Sequence, residues 1–354
     1  MYYPAEAYAT PLTLVRRERV LPAPGAILVR QGEHVEPLQV VARAELPGPP
    51  CIVPVARLLD VSLSRLKKYL RVKPGDKVEQ GQLIAKRGFR TIEAPVAGSV
   101  KLINRGRVII ETQPRTFELQ AYIPGTVTQV VPQYGLAIET TAALIQGVWG
   151  GGGAPGCEAW GVLKCLVDER DAPVRAHAID ISCHGMIIVG GEGINEAVLE
   201  QAETFNVRGI VVGGLAPKMI PRVQKSPVPV VVIEGIGAPA MSEPAFRLLK
   251  TNDGREAAIS VRVQPRWPVI RPEVIIPLPA TRTSPSQTQA GTPLEVGTKV
   301  RLVRAPYMGT VGTVKAIPSQ ARSLETGARV YGAEVDVGGD TNVFVPLVNL
   351  EALR

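Results

Sequence analysis

Three glycine-rich segments in the middle of the chain each follow a short run of β-branched residues. They read Gly190-Gly191-Glu192-Gly193, Gly213-Gly214 and Glu234-Gly235-Ile236-Gly237. At the ends of parallel strands, backbone N–H groups and helix N-termini bind anions. The pattern predicts either a site for a small anionic or nucleotide-like ligand, in which the two glutamates hydrogen-bond a ribose or sugar hydroxyl, or tight turns between β and α elements that bind no ligand. The predicted ligand contacts are Gly191, Glu192, Gly193, Gly213, Gly214, Glu234, Gly235 and Gly237.

No catalytic set accompanies these loops. The histidines are His34, His177 and His184, and the adjacent pair Cys183-His184 is poorly placed for a thiol beside its base. Gly191-x-Gly193 lacks the third glycine of the dinucleotide fingerprint, and no GxxxxGK[ST] motif occurs. We therefore expect no catalytic residues and no cofactor.

The four cysteines are too few and too scattered for a disulfide framework. They are Cys51, Cys157, Cys165 and Cys183, and their spacings do not form CxxC pairs. A metal cluster can be drawn from the last three with His184, but ligands at positions 183 and 184 project in divergent directions on a strand. We expect free thiols and no metal site.

Length and net charge limit the number of domains and the kinds of partner that we expect. A chain of 354 residues predicts two to four domains. The net charge is +8, and residues 1–141 contain nineteen Lys and Arg against twelve Asp and Glu. This excess indicates either a polyanion partner or a well-solvated basic surface. The chain has no apolar stretch of membrane-spanning length, and its first residues lack a secretion-signal pattern, so we expect a cytoplasmic protein without membrane insertion.

Two kinds of β unit each occur twice in the first part of the chain. Residues 24–43 and 72–86 share a turn glycine followed by a valine and a short apolar strand, and residues 94–111 and 123–139 share a second pattern. We predict that the members of each pair are structurally equivalent. The four pieces resemble the barrel-sandwich hybrid of biotinyl and lipoyl carrier domains, also found in the C subunit of the Rnf electron-transport complex.

Carrier domains of that family present a modified lysine at a hairpin tip, next to an acidic residue. Here the corresponding turn carries Lys86, Arg87 and Arg90 without the acidic partner. We expect these three cations to form an exposed basic tip that contacts phosphate or an acidic protein face. Between the first two units, Asp60 is predicted to cap a short amphipathic helix containing Leu63, Leu66 and Leu70.

From Met186 onward the pattern alternates between strands and helices. The runs at 186–189, 209–212 and 230–233 are apolar at every position, which predicts a parallel sheet covered by helices on both faces. Ser242 is predicted to begin a helix. Residues 191–236 resemble a DRTGG domain, a small regulatory α/β unit with a Gly-Gly turn.

The last part of the chain begins after a segment rich in Pro, Ser, Thr and Gln. From Val296, a basic strand and the pattern Pro306-Tyr307-x-Gly309-x-Val311 resemble a KOW-type SH3-like barrel. That family contacts RNA or protein partners. The resemblance implies a set of contacts at Arg301, Arg304, Tyr307, Lys315 and Arg322.

Together these patterns predict a multidomain α+β protein. The predicted parts are a barrel-sandwich hybrid (1–146), an α/β parallel-sheet domain (147–270), a flexible linker (271–295) and a KOW/SH3-like barrel (296–354). The favoured function is a non-enzymatic binding or assembly factor, in which the β modules contact RNA, a ribonucleoprotein or a protein and the α/β unit binds a small anion. The alternatives are an enzyme or sensor for a nucleotide-like or phosphorylated metabolite and a scaffold subunit of a redox complex.

Overall fold

The computed structural model describes residues 5–7, 9–153, 158–237, 240–263, 270–279, 293–304, 306–307, 310–324, 326–338 and 342–353. Of the described residues, 46% lie in strands and 14% in helices, 3₁₀ turns included, so this part of the chain is mostly β, with several sheets. This composition is compatible with the α+β class expected from the sequence.

The first elements are β1 (Ala5–Ala7), β2 (Ala9–Val20), β3 (Ala26–Ile27), β4 (His34–Val35), β5 (Val40–Leu46), β6 (Pro50–Val53), α1 (Val55–Leu59), α2 (Leu63–Leu66), β7 (Lys77–Val78), β8 (Leu83–Arg87), β9 (Arg90–Glu93), β10 (Gly98–Asn104), β11 (Arg107–Glu111) and β12 (Arg115–Gln120). The next are β13 (Gly125–Val131), β14 (Gly135–Gln146), β15 (Trp149–Gly151), β16 (Glu158–Cys165), β17 (Met186–Val189), α3 (Glu196–Thr204), β18 (Gly209–Leu215), α4 (Ile220–Gln224), β19 (Val230–Ile236), α5 (Glu243–Thr251), β20 (Glu256–Ser260) and β21 (Glu273–Pro277). The last are β22 (Lys299–Leu302), β23 (Val311–Ala316), β24 (Arg322–Ser323), β25 (Arg329–Val330), β26 (Gly332–Asp336), β27 (Asn342–Pro346) and β28 (Leu350–Leu353). Among the described residues, short 3₁₀ turns lie at Ala176–Ala178, Ile181–Cys183, Pro217–Met219 and Leu347–Asn349.

One large sheet runs through the middle of the molecule in the order β15-β19-β18-β17-β16-β20-β21-β14-β13-β4, and β2 also pairs with β14. Strands β16 to β19 are parallel, which confirms the parallel arrangement predicted from the apolar runs. Successive residues of these strands point to opposite faces, and both faces are buried. Helix α5 packs on one face and α3 on the other, in two separate hydrophobic clusters.

The helix starts of this region follow from their capping residues. The Asn195 side chain accepts a hydrogen bond from the Val198 N–H at 3.0 Å, which caps α3. Ser242 precedes α5, as predicted, although its side chain makes no capping hydrogen bond.

Asp60 does not cap a helix as predicted. It lies after α1 with φ of 54°, where it ends that helix, and Ser62 precedes the separate helix α2.

The two predicted β repeats form two copies of one fold, and the structure confirms their equivalence. In one copy, which includes residues 24–43 and 123–139 and which we call the outer copy, the Gly32 N–H donates to the Val127 carbonyl at 2.7 Å. In the other, the inner copy, which includes residues 72–86 and 94–111, the Gly75 N–H donates to the Val100 carbonyl at the same distance. The strand pairs β13–β14 and β10–β11 carry a register shift at corresponding positions. The two copies therefore share backbone hydrogen bonds and a strand irregularity as well as a sequence pattern.

Side chains stabilise the same turn in both copies. The Glu33 carboxylate accepts the Arg30 N–H at 2.9 Å, and the Asp76 carboxylate accepts the Lys73 N–H at 2.8 Å. The inner copy, residues 50–111, is inserted between β5 and β12 of the outer copy. In the inner copy the corresponding strands, β8 and β9, are joined directly by a short hairpin. We call residues 50–111 the basic lobe. Its core is a separate hydrophobic cluster.

The C-terminal strands form a six-stranded sheet in the order β1-β28-β22-β23-β26-β27. Strand β1 pairs in parallel with β28, so the first and last strands that the structure describes meet in this sheet. The predicted closed barrel is corrected: the strands that the structure describes do not close into a barrel.

Two predicted boundaries are crossed by strand pairing. Strand β14 pairs with β13 in the outer copy and with β21 in the large sheet, so one sheet spans residue 146. Strand β21 lies in the predicted linker, but its residues Glu273–Ile276 are buried because the Val-Ile-Ile run packs into both adjoining clusters. The centre of that linker, 280–292, lies outside the described residues.

Candidate functional site

The glycine loops lie together at the carboxyl edge of the parallel strands, but their N–H groups bind other parts of the chain. The Gly213 N–H donates to the Gly191 carbonyl at 3.0 Å, and the Gly214 N–H donates to the Glu192 carbonyl. The Gly191 and Glu192 N–H groups both donate to the Ala172 carbonyl. These amides therefore join neighbouring loops instead of facing an open crevice.

Close packing accounts for two of the glycines. A Cβ at Gly191 would lie 2.6 Å from the Glu169 carbonyl oxygen, and one at Gly193 would lie 3.0 Å from the Gly214 carbonyl oxygen. The Gly237 N–H donates to the Leu215 carbonyl at 2.8 Å. Gly235 lies within β19, beside Gly214 of β18. Residues 169–172 thus fill space beside these loops.

Glu234 occupies the anion position that the sequence analysis assigns to a ligand. Its carboxylate accepts the Ser242 N–H at 2.8 Å, at the N-terminus of α5. The same carboxylate pairs with Arg301 of the C-terminal sheet, and both side chains are at most 3% exposed. Arg301 is predicted from the sequence to contact a macromolecule, but the structure places its guanidinium in this buried pair with Glu234.

The Arg301 network extends to two further residues. The Arg301 Nε donates to the Glu351 carboxylate at 3.0 Å, and Glu351 also pairs with Arg271. Burial alone would raise the pKa of Glu351, but Arg301 and Arg271 hold it below its ordinary value. Burial alone would lower the pKa of Arg301, but Glu351 and Glu234 raise it, so Arg301 stays charged.

The described cysteines and histidines do not form a reactive centre. Burial, together with Asp253, raises the pKa of Cys165 to about 12, so its thiol is protonated at neutral pH. Cys183 is buried and donates to the Ala178 carbonyl, while the His184 Nδ1 lies 3.2 Å from the Phe205 carbonyl oxygen. Cys157 lies outside the described residues. In the described ranges, no group of three or more His, Cys, Asp or Glu could hold a metal ion.

The net charge of the protein is concentrated in the basic lobe. Residues 50–111 contain thirteen Lys and Arg against five Asp and Glu, a net charge of +8, while the remainder of the chain has equal numbers of basic and acidic residues. All thirteen basic residues are exposed. Among the residues that the structure describes, only Lys101 of these thirteen forms a salt bridge, to Glu111 at 2.6 Å. The lobe is therefore a strongly positive surface.

A groove crosses this lobe. Helix α2 and residues 67–76 after it line one side, and the β10–β11 turn lines the other. The volume of the groove is about 990 Å³. The residues that line it are Leu63, Leu66, Lys67, Leu70, Arg71, Val72, Lys73, Pro74, Asp76, Ile103, Asn104, Arg105 and Gly106. Its lining therefore includes four cations, one acidic residue and several apolar side chains.

The outer copy shows that the fold itself does not require a cation at the position of Arg71. The Arg71 N–H donates to Ile84 and the Leu28 N–H donates to Val41, both at 2.9 Å, so Leu28 corresponds to Arg71. Arg105 has φ of 44°, in the left-handed region that side chains rarely adopt. The groove thus holds a cation in a conformation that glycine would adopt more easily.

The predicted basic tip is an exposed two-residue hairpin between β8 and β9. Lys86, Arg87 and Arg90 surround Gly88 and Phe89, and Phe89 is fully exposed. The Arg87 guanidinium donates to the Leu59 carbonyl at 2.8 Å and to the Asp60 carbonyl, both at the end of α1. The tip is therefore attached to the body of the lobe.

The C-terminal contact residues other than Arg301 are exposed but only partly available. Arg304 and Tyr307 are exposed. Lys315 pairs with Asp336 at 3.2 Å, and Arg322 pairs with Glu334 at 2.8 Å while lying over the Phe344 ring. Gly309 of the predicted motif lies outside the described residues.

The comparisons with known proteins assign no family. No protein-family model matches the chain, and no curated protein matches it. Over the part of the chain that the structure describes, no helix combines the length and apolar character needed to cross a bilayer.

Proposed function

We propose that this chain is a non-enzymatic binding factor whose basic lobe binds the phosphate backbone of a nucleic acid. The observation that carries the proposal is the concentration of the entire net charge, +8, in residues 50–111. Lysine and arginine side chains that face solvent without acidic partners release counterions when they bind phosphates, and this release dominates nonspecific nucleic-acid affinity.

The groove favours contact with the phosphate backbone of a nucleic acid, and it is less suited to binding a small ligand. Lys67, Arg71, Lys73 and Arg105 line its walls, and further cations continue over the surface of the lobe. A charged surface of this extent suits a polymer with regularly spaced phosphates. The two nested β copies support the barrel-sandwich assignment, with the inner copy presented as a binding lobe on the outer one.

A charge-reversal experiment tests the proposal. The test variant carries Lys67→Glu, Arg71→Glu and Lys73→Glu, and the matched control carries Lys218→Glu, Lys225→Glu and Arg247→Glu, three exposed cations of the α/β unit. Both variants change the net charge equally. Fluorescence anisotropy with a labelled RNA at about 50 mM salt, where phosphate contacts are strongest, measures the dissociation constants.

We expect the lobe variant to bind at least about 100-fold more weakly than the wild type, and the control to lose much less affinity. Equal losses in the two variants would contradict a site in the lobe. Binding of an acidic protein surface, with no measurable binding of RNA or DNA, would replace nucleic acid by a protein partner.

A further inference from the structure

We propose that Phe89 stacks on an unpaired base, so that the preferred ligand of the basic lobe is single-stranded nucleic acid. This inference rests on the proposed function and names the form of the ligand. It concerns the hairpin tip formed by Lys86, Arg87, Gly88, Phe89 and Arg90.

Phe89 differs from the other four phenylalanines of the chain. Its exposure is 106% of the reference value, whereas Phe117, Phe205, Phe246 and Phe344 are buried or half-buried. Covering this ring with a ligand would gain the free energy of removing apolar surface from water, which the folded protein alone does not gain. Nothing in the local fold requires a large apolar residue at this turn, because the Phe89 ring has no support from the core.

The backbone of the tip presents the ring in a defined position. Arg87 and Arg90 are paired across the hairpin, and Gly88 has φ of 58°, as the first position of a tight two-residue turn requires. Arg87 donates to the carbonyls of Leu59 and Asp60, and the Lys86 N–H donates to the Tyr69 carbonyl at 2.9 Å. The hairpin tip that carries Phe89 is therefore held in place before a ligand binds.

The charges around the ring indicate what covers it. Lys86 and Arg90 lie on either side of the turn, are exposed and form no salt bridge with any residue that the structure describes. A base stacked on the ring would place its flanking phosphates within reach of these cations. Aromatic rings combined with cations are the common arrangement for binding single strands, because every base has a face that stacks and duplex bases are already stacked.

The test compares Phe89→Ala with Tyr134→Ala, a second exposed aromatic residue that lies in a hairpin turn of the outer copy. Neither substitution changes the charge, and neither side chain is part of the core, so both variants should fold. Dissociation constants are measured for an unstructured RNA, such as oligouridine, and for an RNA duplex of equal phosphate number.

We expect Phe89→Ala to weaken binding of the unstructured RNA about 5- to 100-fold and to leave duplex binding within about twofold, while Tyr134→Ala changes neither. Unchanged affinity of Phe89→Ala for the unstructured RNA, with normal wild-type binding, would overturn the stacking proposal but leave the proposed function intact. Absence of wild-type binding to either RNA, and to single- and double-stranded DNA as well, would overturn both.

Phe89→Trp provides a direct optical readout of the stacking. Emission of the new tryptophan, taken as the difference from the wild type, should be quenched by oligouridine and unaffected by inorganic polyphosphate, which has phosphates without bases. Quenching by both polyanions, or by neither during saturating RNA binding, would contradict stacking. A blue shift with vesicles of anionic phospholipid and none with RNA would assign the tip to a lipid surface instead.

Discussion

The Arg301 guanidinium and the Glu234 carboxylate form a buried ion pair that joins the C-terminal sheet to the carboxyl edge of the parallel strands. Glu234 also accepts the N–H that begins α5, so an internal carboxylate occupies a position suited to a ligand anion. The contact makes Arg301 structural and removes it from the surface.

Loss of Arg301 should destabilise the protein strongly. Arg301→Ala leaves Glu234 and Glu351 as buried carboxylates with one fewer cation, and breaking such a pair costs about 3–5 kcal/mol. Arg304→Ala is the matched control because Arg304 is exposed, and its effect should stay within about 0.5 kcal/mol. Urea denaturation measures both values, and equal stabilities of the two variants would contradict a structural role for the pair.

Acid should weaken the same network. The pKa of Glu351 is lowered in the folded protein, so its ionised form contributes stability above the unfolded pKa near about 4.3, and this contribution is lost as the pH falls through the folded value. We expect the stability difference between the wild type and Glu351→Gln to be largest at neutral pH and to shrink below about pH 4. Denaturation curves between pH 3 and 7 test this, and a difference independent of pH would refute it.

Replacing Arg105 with glycine should separate binding from stability. Because Arg105 has φ of 44°, Arg105→Gly should leave the free energy of unfolding unchanged or raise it by up to about 1 kcal/mol while weakening RNA binding. Gln133 has φ of 68° in a hairpin turn of the outer copy, so Gln133→Gly is the control. It should affect stability similarly and leave the RNA affinity unchanged. A loss of RNA affinity equal in the two variants would argue against the groove.

The thiol of Cys165 should be unreactive. A pKa of about 12 reduces the thiolate fraction at pH 8 by roughly a thousandfold relative to an ordinary cysteine. Iodoacetamide labelling followed by peptide mass spectrometry should therefore modify Cys165 far more slowly than the same residue in urea-unfolded protein. Rapid labelling of the folded protein at Cys165 would reopen a nucleophilic role and favour the enzymatic alternative.

The sequence predicted local features more successfully than contacts between distant segments. Apolar runs predicted the parallel strands, and the paired turn patterns predicted the two equivalent β copies. The prediction that Asp60 caps the start of a helix is wrong, because aspartate occurs both before and after helices and here it ends α1. The Arg301–Glu234 pair was not predicted because it joins residues 67 positions apart and depends on how β22 packs.

The candidate site was found only in part from the sequence. The excess of basic residues in 1–141 indicated a positive region, but its limits became clear only when the inserted inner copy defined residues 50–111. Lys86, Arg87 and Arg90 were predicted at an exposed tip and lie there. The groove was not predicted, because its walls come from segments that meet only in the folded lobe.

The salt dependence of RNA binding tests the central claim most directly. Each phosphate contact to a single strand contributes about 0.7 to the slope of log K against log salt concentration. For oligouridine between about 50 and 300 mM salt we predict a steep negative slope for the wild type. For the variant with Lys67→Glu, Arg71→Glu and Lys73→Glu, we predict a slope smaller in magnitude by about 2. No measurable binding at the lowest salt concentration, or the same slope for both proteins, would contradict nucleic-acid binding by the basic lobe.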